Sequence, residues 1–234
     1  MKPKAFLRTT AAAAMGSAIF FSTPVSATCL PEQVSLKPGS KIVFEGDSLT
    51  YGFDEAEMNG APKINNGWAR RSQTPYPEEV GKSLPGVQIV NHGFPGDRSI
   101  DGIKRWASSS NGDLTVLMYG TNDAGNFGKL ERTLTTQEFH ANLQNLIDRR
   151  ISAGSKVILV TPPPIADSAV DAGVERYRDV VRNTAQARNM ALVEAPQALA
   201  DVATKWVDGL HLSPAANQSL AKALAKKICL TVSP

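Results

Sequence analysis

Cysteine and histidine, the usual ligands of zinc sites, are scarce in this sequence. Its 234 residues include two cysteines and three histidines. Cys29 and Cys229 lie far apart along the chain and the histidines are scattered between them, so the close ligand spacing that is typical of a zinc site does not occur. We therefore predict that the protein holds no metal.

Net charge is also lacking once the first 27 residues are set aside. These residues have the three parts of a secretory signal peptide, namely a basic start, a short apolar stretch and small residues before a cleavage point (Lys2, Lys4 and Arg8; residues 11–21; Val25, Ser26 and Ala27). The signal peptide carries three basic residues and no acidic ones, so its removal lowers the formal net charge from +3 to 0. The mature chain thus gives no reason to propose a nucleic acid or an anionic membrane as a partner.

A membrane span is not predicted either. The apolar stretch of residues 11–21 is too short and wrongly flanked for an anchor. We expect export, to the periplasm or the medium, with residues 28–234 as the mature domain. Two alternatives are a retained N-terminal anchor and a lipoprotein attached through Cys29. The second is disfavoured because Ser26 stands where an apolar residue is expected.

An exported protein meets an oxidising compartment, in which cysteines can pair. Because the ends of a domain often lie close together, Cys29 and Cys229 are candidates for a disulfide. The alternative is two unpaired thiols, since the sequence does not give the distance between them.

Short apolar runs and helical patterns alternate five times along the mature chain. The predicted strands are residues 42–44, 87–91, 114–119, 157–160 and 191–193, and the predicted helices are residues 74–84, 99–107, 136–154, 168–189 and 213–230. This alternation is typical of a parallel sheet with right-handed crossovers and helices on both faces. We predict one α/β domain without internal repeats or an interdomain linker.

Polar segments follow three of these strands, at the carboxyl ends where open parallel sheets bind ligands. Gly46-Asp47-Ser48 follows the first strand, and it either presents the Ser48 hydroxyl or caps a following helix. Residues 93–97 follow the second strand and Gly120-Thr121-Asn122-Asp123 the third. A fourth segment, Asp208-Gly209-Leu210-His211, precedes the last helix and is expected at the same edge.

Together these segments supply the groups that acyl transfer needs. Ser48 is the candidate nucleophile, His211 the base and Asp208 the carboxylate that orients it. The N–H groups of Ser48 and Gly96 and the side-chain amide of Asn122 are candidate donors for an oxyanion hole. The structural alternatives are a surface or capping role for His211 and turn-forming roles for Gly96 and Asn122.

Three further polar residues are given structural roles. Asp123 is expected to bond the backbone of its own loop. His92 and His140 are interpreted as a strand-end and a helix-face residue, and neither is included in the candidate site.

The four polar segments resemble, in order and spacing, the four motif blocks of the SGNH (GDSL) hydrolase superfamily. The resemblance spans residues 42–211, and no block lacks a motif residue. It implies a flavodoxin-like three-layer α/β/α sandwich with five parallel strands in the order 2-1-3-4-5. It also implies the catalytic roles given above, in an esterase that needs neither a metal nor an organic cofactor.

Two local features favour a sugar ester as the substrate. Residues 53–74 form a polar segment that brings Trp68 and Arg70 near the nucleophile, and Arg98 follows the oxyanion glycine at a position suited to an acidic group. The alternative is that Trp68 packs on the domain and the arginines are solvated.

The leading hypothesis is an exported serine esterase that releases short acyl groups, chiefly acetyl, from a carbohydrate. The fold does not name the substrate, because one fold hosts many functions. Alternatives are an esterase for lipids or other small esters (lysophospholipase or thioesterase-like), an acetyltransferase that moves the acyl group to a glycan, and a non-catalytic binding module.

Overall fold

The fold is given by a computed structural model, which describes residues 29–54, 71–109, 111–125 and 132–231. Its elements in chain order are β1 (Val34–Leu36), β2 (Lys41–Gly46), α1 (Ser48–Tyr51), α2 (Tyr76–Ser83), β3 (Gln88–Gly93), α3 (Ser99–Arg105), β4 (Leu114–Met118), α4 (Thr121–Ala124), α5 (Thr136–Ser152), β5 (Lys156–Val160), α6 (Ser168–Ala187), β6 (Ala191–Val193), α7 (Ala195–Ala198), α8 (Pro214–Ala225) and β7 (Ile228–Leu230). The predicted signal peptide lies outside the described residues. In this part of the chain, no helix has the length and apolar character needed to cross a membrane.

Strands β2 to β6 form one parallel sheet in the order β3-β2-β4-β5-β6. Counted from β2, this is the predicted order 2-1-3-4-5, and the fold prediction is confirmed. The chain runs from β2 outward to β3 and then crosses back to β4, on the other side of β2. The turns after β2, β3 and β4 therefore meet at the switch point of the sheet, where ligands bind in open α/β folds.

Helices cover both faces of the sheet, so the fold has three layers. On one face, α2 and α8 pack against Phe44 and Val116. On the other face, α5 and α6 pack against Leu117 and Leu159. Val116 and Leu117 belong to different clusters because successive residues of a strand point to opposite faces.

The longer helices begin at residues that cap them. Thr135 and Glu138 form a capping box at the start of α5. Asp167 caps α6 by accepting from two backbone N–H groups, and Ser213 caps α8, which has Pro214 in its first turn. These local signals explain why the helix starts could be predicted from the sequence.

A second sheet, formed by β1 and β7 in parallel, was not predicted. The last helix was predicted to continue to residue 230, and this end is wrong, because α8 stops at Ala225 and the chain then enters β7. Leu224 and Ile228 are four residues apart, which suits the inner face of a helix, and a three-residue strand is too short to show alternation.

Cys29 and Cys229 are joined by a disulfide beside this small sheet, with Cα atoms 5.7 Å apart. Cys229 lies in β7 and is paired with Ser35 of β1. The Nζ of Lys156, the first residue of β5, donates to the Ser35 carbonyl at 2.5 Å. The two disulfide-linked segments therefore lie beside the amino ends of the strands of the large sheet, opposite the edge that carries Ser48.

We expect loss of the disulfide to lower the free energy of unfolding. The bond closes a loop between residues 200 apart in sequence, and restricting the unfolded chain in this way stabilises a protein by about 3–5 kcal/mol. A thiol reductant should lower the denaturant midpoint of the wild type but leave that of the double variant Cys29→Ser/Cys229→Ser unchanged. Equal midpoints for the oxidised wild type and the double variant would contradict the prediction.

Candidate active site

Ser48 lies at the turn between β2 and α1. Asp47 caps the four-residue helix α1 by accepting a hydrogen bond from the Leu49 N–H at 2.9 Å. A Cβ atom at Gly46 would lie 2.6 Å from the Met118 carbonyl oxygen, so this close approach requires glycine. The segment can both cap a helix and present the Ser48 hydroxyl, because Asp47 is the capping residue and the Ser48 hydroxyl lies against His211.

A short loop before α8 presents His211. Trp206 and Leu212 form an antiparallel bridge, and the Val207 N–H donates to the His211 carbonyl at 2.9 Å. At the tip of the loop Gly209 has a φ of +89°, a conformation that favours glycine. The loop is thus closed on itself and holds the backbone of His211.

Three side chains from the two ends of the chain form a hydrogen-bonded series. Asp208 Oδ2 lies 2.6 Å from His211 Nδ1, and His211 Nε2 lies 2.9 Å from Ser48 Oγ. The other oxygen of Asp208 accepts the N–H groups of Leu210 and His211 at 2.9 and 2.7 Å. Because both carboxylate oxygens are held, the carboxylate and the ring are fixed relative to each other.

The same hydrogen bonds control the charge of Asp208. Partial burial favours the neutral carboxyl, but the bonds from the His211 ring and from two backbone N–H groups outweigh it, so the pKa of Asp208 is lowered. The side chain of Asp208 is 17% exposed and that of His211 is 13% exposed. The carboxylate therefore stays charged and faces a largely covered ring.

The turn after β3 carries Gly96 to the Ser48 segment. The Phe94 N–H donates to the Gly46 carbonyl at 3.0 Å, and the Asp97 N–H donates to the Phe94 carbonyl at 3.0 Å. Gly96 lies inside this turn with a φ of +77°. The turn that contains the candidate oxyanion glycine is thus bonded to the residue two places before Ser48.

Asn122, in α4, joins the same group of turns. Its Nδ2 donates to the Asp97 carbonyl at 3.1 Å and to Asp47 Oδ2 at 3.2 Å. The structure therefore brings together all five residues predicted for the triad and the oxyanion hole, on four different turns.

Asp47 is nearly fully buried, with 1% of its surface exposed. Burial raises the pKa of its carboxyl to about 7, and the nearby carboxylates of Asp123 and Asp97 act in the same direction, while the bond from the Leu49 N–H opposes them. The charge on this residue, which precedes Ser48, thus changes near neutral pH.

We predicted that Asp123 bonds the backbone of its own loop, but residues 126–131 of this loop lie outside the described residues. Within the described chain, the Asp123 side chain bonds Ser99. Its carboxylate accepts from the N–H of Ser99 at 3.1 Å and from the Ser99 hydroxyl at 2.5 Å. Burial raises the pKa of Asp123 to about 6, although the bonds from Ser99 oppose the shift. The bond to Ser99 was not predicted, because Ser99 begins α3 and lies 24 residues earlier in the sequence.

The other two histidines lie where they were expected. His92 is in β3 and stacks on Trp106, with ring centroids 4.1 Å apart. Burial, and then the positive charges of Arg150 and Lys41, lower the pKa of His92 to about 4. His140 is exposed on α5 and contacts Gln144.

Of the three predicted substrate-binding residues, the structure describes only Arg98. Trp68 and Arg70 lie outside the described residues. Arg98 occupies the N-cap position of α3, where its Nε donates to Asp101 at 2.9 Å and its Nη1 donates to the Arg132 carbonyl at 3.1 Å. Its guanidinium is thus engaged at the helix start, and a role in binding substrate stays a prediction.

Sequence reasoning missed two contacts at the site. One is the bond between Asp47 and Asn122, for which the position of Asp47 next to Ser48 was the available signal. The other is the packing of the Phe53 ring on the His211 ring, with centroids 4.2 Å apart. Phe53 stands in a segment without periodicity, so no pattern marked it.

Comparison with known proteins identifies the class. Residues 44–218 match the model of the GDSL-like lipase/acylhydrolase family, and the chain belongs to this family. It is therefore a carboxylic ester hydrolase. No match is found among curated proteins.

Solved structures show the same fold. A lipase/acylhydrolase from Enterococcus faecalis is 24% identical with a TM-score of 0.65, over 80% of this chain and 94% of its own. An acetylxylan esterase from Geobacillus stearothermophilus is 24% identical with a TM-score of 0.64, over 82% and 94%. A carbohydrate acetylesterase from Sinorhizobium meliloti is 22% identical with a TM-score of 0.62, over 80% and 97%.

Proposed function

We propose that the protein is an exported serine esterase that hydrolyses short acyl esters, chiefly acetyl esters, of carbohydrates. One observation carries the proposal: the series from Asp208 through His211 to Ser48, with contacts of 2.6 and 2.9 Å, at the carboxyl edge of the sheet. A serine hydroxyl is a poor nucleophile alone, and an oriented base of this kind activates it.

In the proposed mechanism His211 Nε2 takes the proton of Ser48 Oγ as this oxygen attacks the ester carbonyl carbon. The N–H groups of Ser48 and Gly96 and the amide of Asn122 stabilise the oxyanion, for which Asn122 exchanges one of its two present contacts. His211 then protonates the leaving alcohol. Water attacks the acyl-enzyme with His211 again as base, and as the bond from the acyl carbon to Ser48 Oγ breaks, His211 returns the proton to Oγ and the acid is released. Asp208 stays charged and stabilises the imidazolium.

The choice of substrate rests on similarity and composition. Two of the structural neighbours are an acetylxylan esterase and a carbohydrate acetylesterase. The polar segment of residues 53–74 follows the nucleophile, and a site for a long acyl chain is instead expected to be apolar. The neighbour described as a lipase/acylhydrolase favours a second candidate, an esterase for lipids or other small esters.

Export is part of the proposal. The basic and apolar pattern of residues 1–27 supports it, and the disulfide of the mature chain suits an oxidising compartment. Sequencing the N-terminus of the protein recovered from the periplasm or medium of a producing cell should find Thr28 as the first residue. An intact Met1 would contradict cleavage.

The activity is tested with the mature protein and aryl esters from acetate to decanoate. We expect turnover to be highest with acetate and to fall steeply beyond butyrate, and we expect an arylphosphonate to label Ser48 alone, as read by peptide mass spectrometry. A maximum at octanoate or longer would favour the lipid candidate, and a label elsewhere would contradict Ser48 as nucleophile. With an acetylated donor and an oligosaccharide acceptor, only a transferase yields an acylated acceptor.

A further inference from the structure

Phe53 touches both members of the Ser48–His211 pair. Its backbone N–H donates to the Ser48 carbonyl at 2.9 Å. Its ring packs on the imidazole of His211, with centroids 4.2 Å apart and planes inclined at 38°. A single half-buried residue therefore links the segment that carries the nucleophile to the ring that would accept its proton.

The backbone around Phe53 is held on both sides. Phe53 forms an antiparallel bridge with Arg71, and the Ser72 N–H donates to the Gly52 carbonyl at 2.6 Å. Gly52 has a φ of +84°, and a Cβ atom there would lie 2.6 Å from Pro75. The backbone of Phe53 is thus held by main-chain contacts, so a substitution of its side chain changes the ring and leaves the backbone in place.

The ring is placed to act on a cation. Catalysis as proposed above converts His211 to an imidazolium twice in each turnover, and an aromatic face within about 6 Å attracts a cation through its quadrupole. We infer that Phe53 is a positioning residue for His211, whose ring holds the imidazole against Ser48 and stabilises its protonated form. This inference rests on the proposed function, because it requires His211 to be the base.

Among the described residues, the charged groups on the elements that meet His211 are Asp201, Lys205 and Asp208 in its own loop, Asp47 beside Ser48, and Asp54 and Arg71 beside Phe53. All of them are kept when Phe53 is replaced. Leucine retains an apolar cover over the imidazole but has no quadrupole, whereas tyrosine keeps the aromatic face. The pair Phe53→Leu and Phe53→Tyr therefore isolates the aromatic contribution from packing.

The test compares kcat, KM and the pH dependence of kcat/KM for an aryl acetate, together with an NMR titration of the His211 ring. For Phe53→Leu we expect kcat to fall about threefold with KM unchanged, and the acidic limb of the profile to move about half a pH unit towards acid, as loss of a cation–π contact predicts. Phe53→Tyr should restore both values. Phe53→Ala also removes the packing, and we expect its kcat to fall about twentyfold.

Several outcomes would overturn the inference. One is a Phe53→Leu variant with the kcat and pH profile of the wild type. Another is a lower kcat without any shift of the profile or of the His211 titration, which would make Phe53 a structural residue. A higher KM at constant kcat would make it a substrate contact. Full activity in Ser48→Ala would instead refute the proposed function, and the inference with it.

Discussion

Replacing Asp208 with asparagine is expected to lower kcat about ten-thousandfold while the protein stays folded. The carbonyl oxygen of asparagine can still accept the N–H groups of Leu210 and His211, so the loop keeps its shape. The amide nitrogen then faces His211 Nδ1 as a donor and forces the ring proton onto Nε2. In this tautomer the ring donates to Ser48 and cannot take its proton, the defect that lowers kcat about 10⁴-fold when a triad aspartate becomes asparagine.

The measurement is kcat for an aryl acetate, with the melting temperature recorded for each protein. Asp201→Asn is the matched control, because Asp201 is an exposed carboxylate in the same loop. A loss of less than about tenfold in Asp208→Asn would show that this carboxylate does not set the tautomer of the catalytic base.

Replacing Asp47 with asparagine is expected to lower activity and to change the pH dependence of stability. The oxygen of Asp47 that accepts from Asn122 Nδ2 at 3.2 Å would become a second donor, so the Asn122 amide must move. Loss of one oxyanion donor lowers kcat about a hundredfold. We expect the same loss in Asp47→Asn and in Asn122→Ala, and no further loss when the two changes are combined.

The sign of the stability effect follows from the raised pKa of Asp47. Burial raises this pKa to about 7 in the folded protein, from an ordinary value of 3.8. Between these two pH values the folded protein holds a proton that the unfolded chain has released, so this residue makes the protein less stable as the pH rises from about 4 to about 7. Asparagine has no such dependence.

The quantity to compare is the change in the free energy of unfolding between pH 5 and pH 8. Between pH 5 and pH 8, the free energy of unfolding of Asp47→Asn should rise by about 2–3 kcal/mol relative to that of the wild type. Comparing the two proteins at both pH values cancels effects of the substitution that do not depend on pH. Chemical denaturation at both pH values measures it. Asp113→Asn is the control, since Asp113 is an exposed carboxylate that also accepts a backbone N–H, from Lys41. A constant difference across this range would refute the raised pKa.

The sheet and the site could be predicted because their signals are local. A buried parallel strand such as β4 is an almost continuous apolar run, with Thr115 as its one polar residue, and its partners in the sheet follow from the alternation of strands and helices. Parallel strands share one carboxyl edge, so the turns that carry Ser48, Gly96 and Asn122 had to lie near one another.

What could not be predicted depends on partners that are distant in sequence. Glu45 lies at the end of an apolar run but is fully buried, because Arg149 and Arg150 of α5 pair with it from about 100 residues away. The bond from Ser99 to Asp123 is of the same kind. β1 forms only by pairing with β7, at the other end of the chain, so neither strand has a signal of its own.

The position of the disulfide has a practical consequence for handling the enzyme. Cys29 and Cys229 are bonded at the amino ends of the strands, and Ser48 follows the carboxyl end of β2. A resin linker or carrier protein attached at either end of the described chain therefore joins the molecule on the side away from the edge that carries Ser48. Immobilised in this orientation, the protein would leave that edge open to a polymeric substrate.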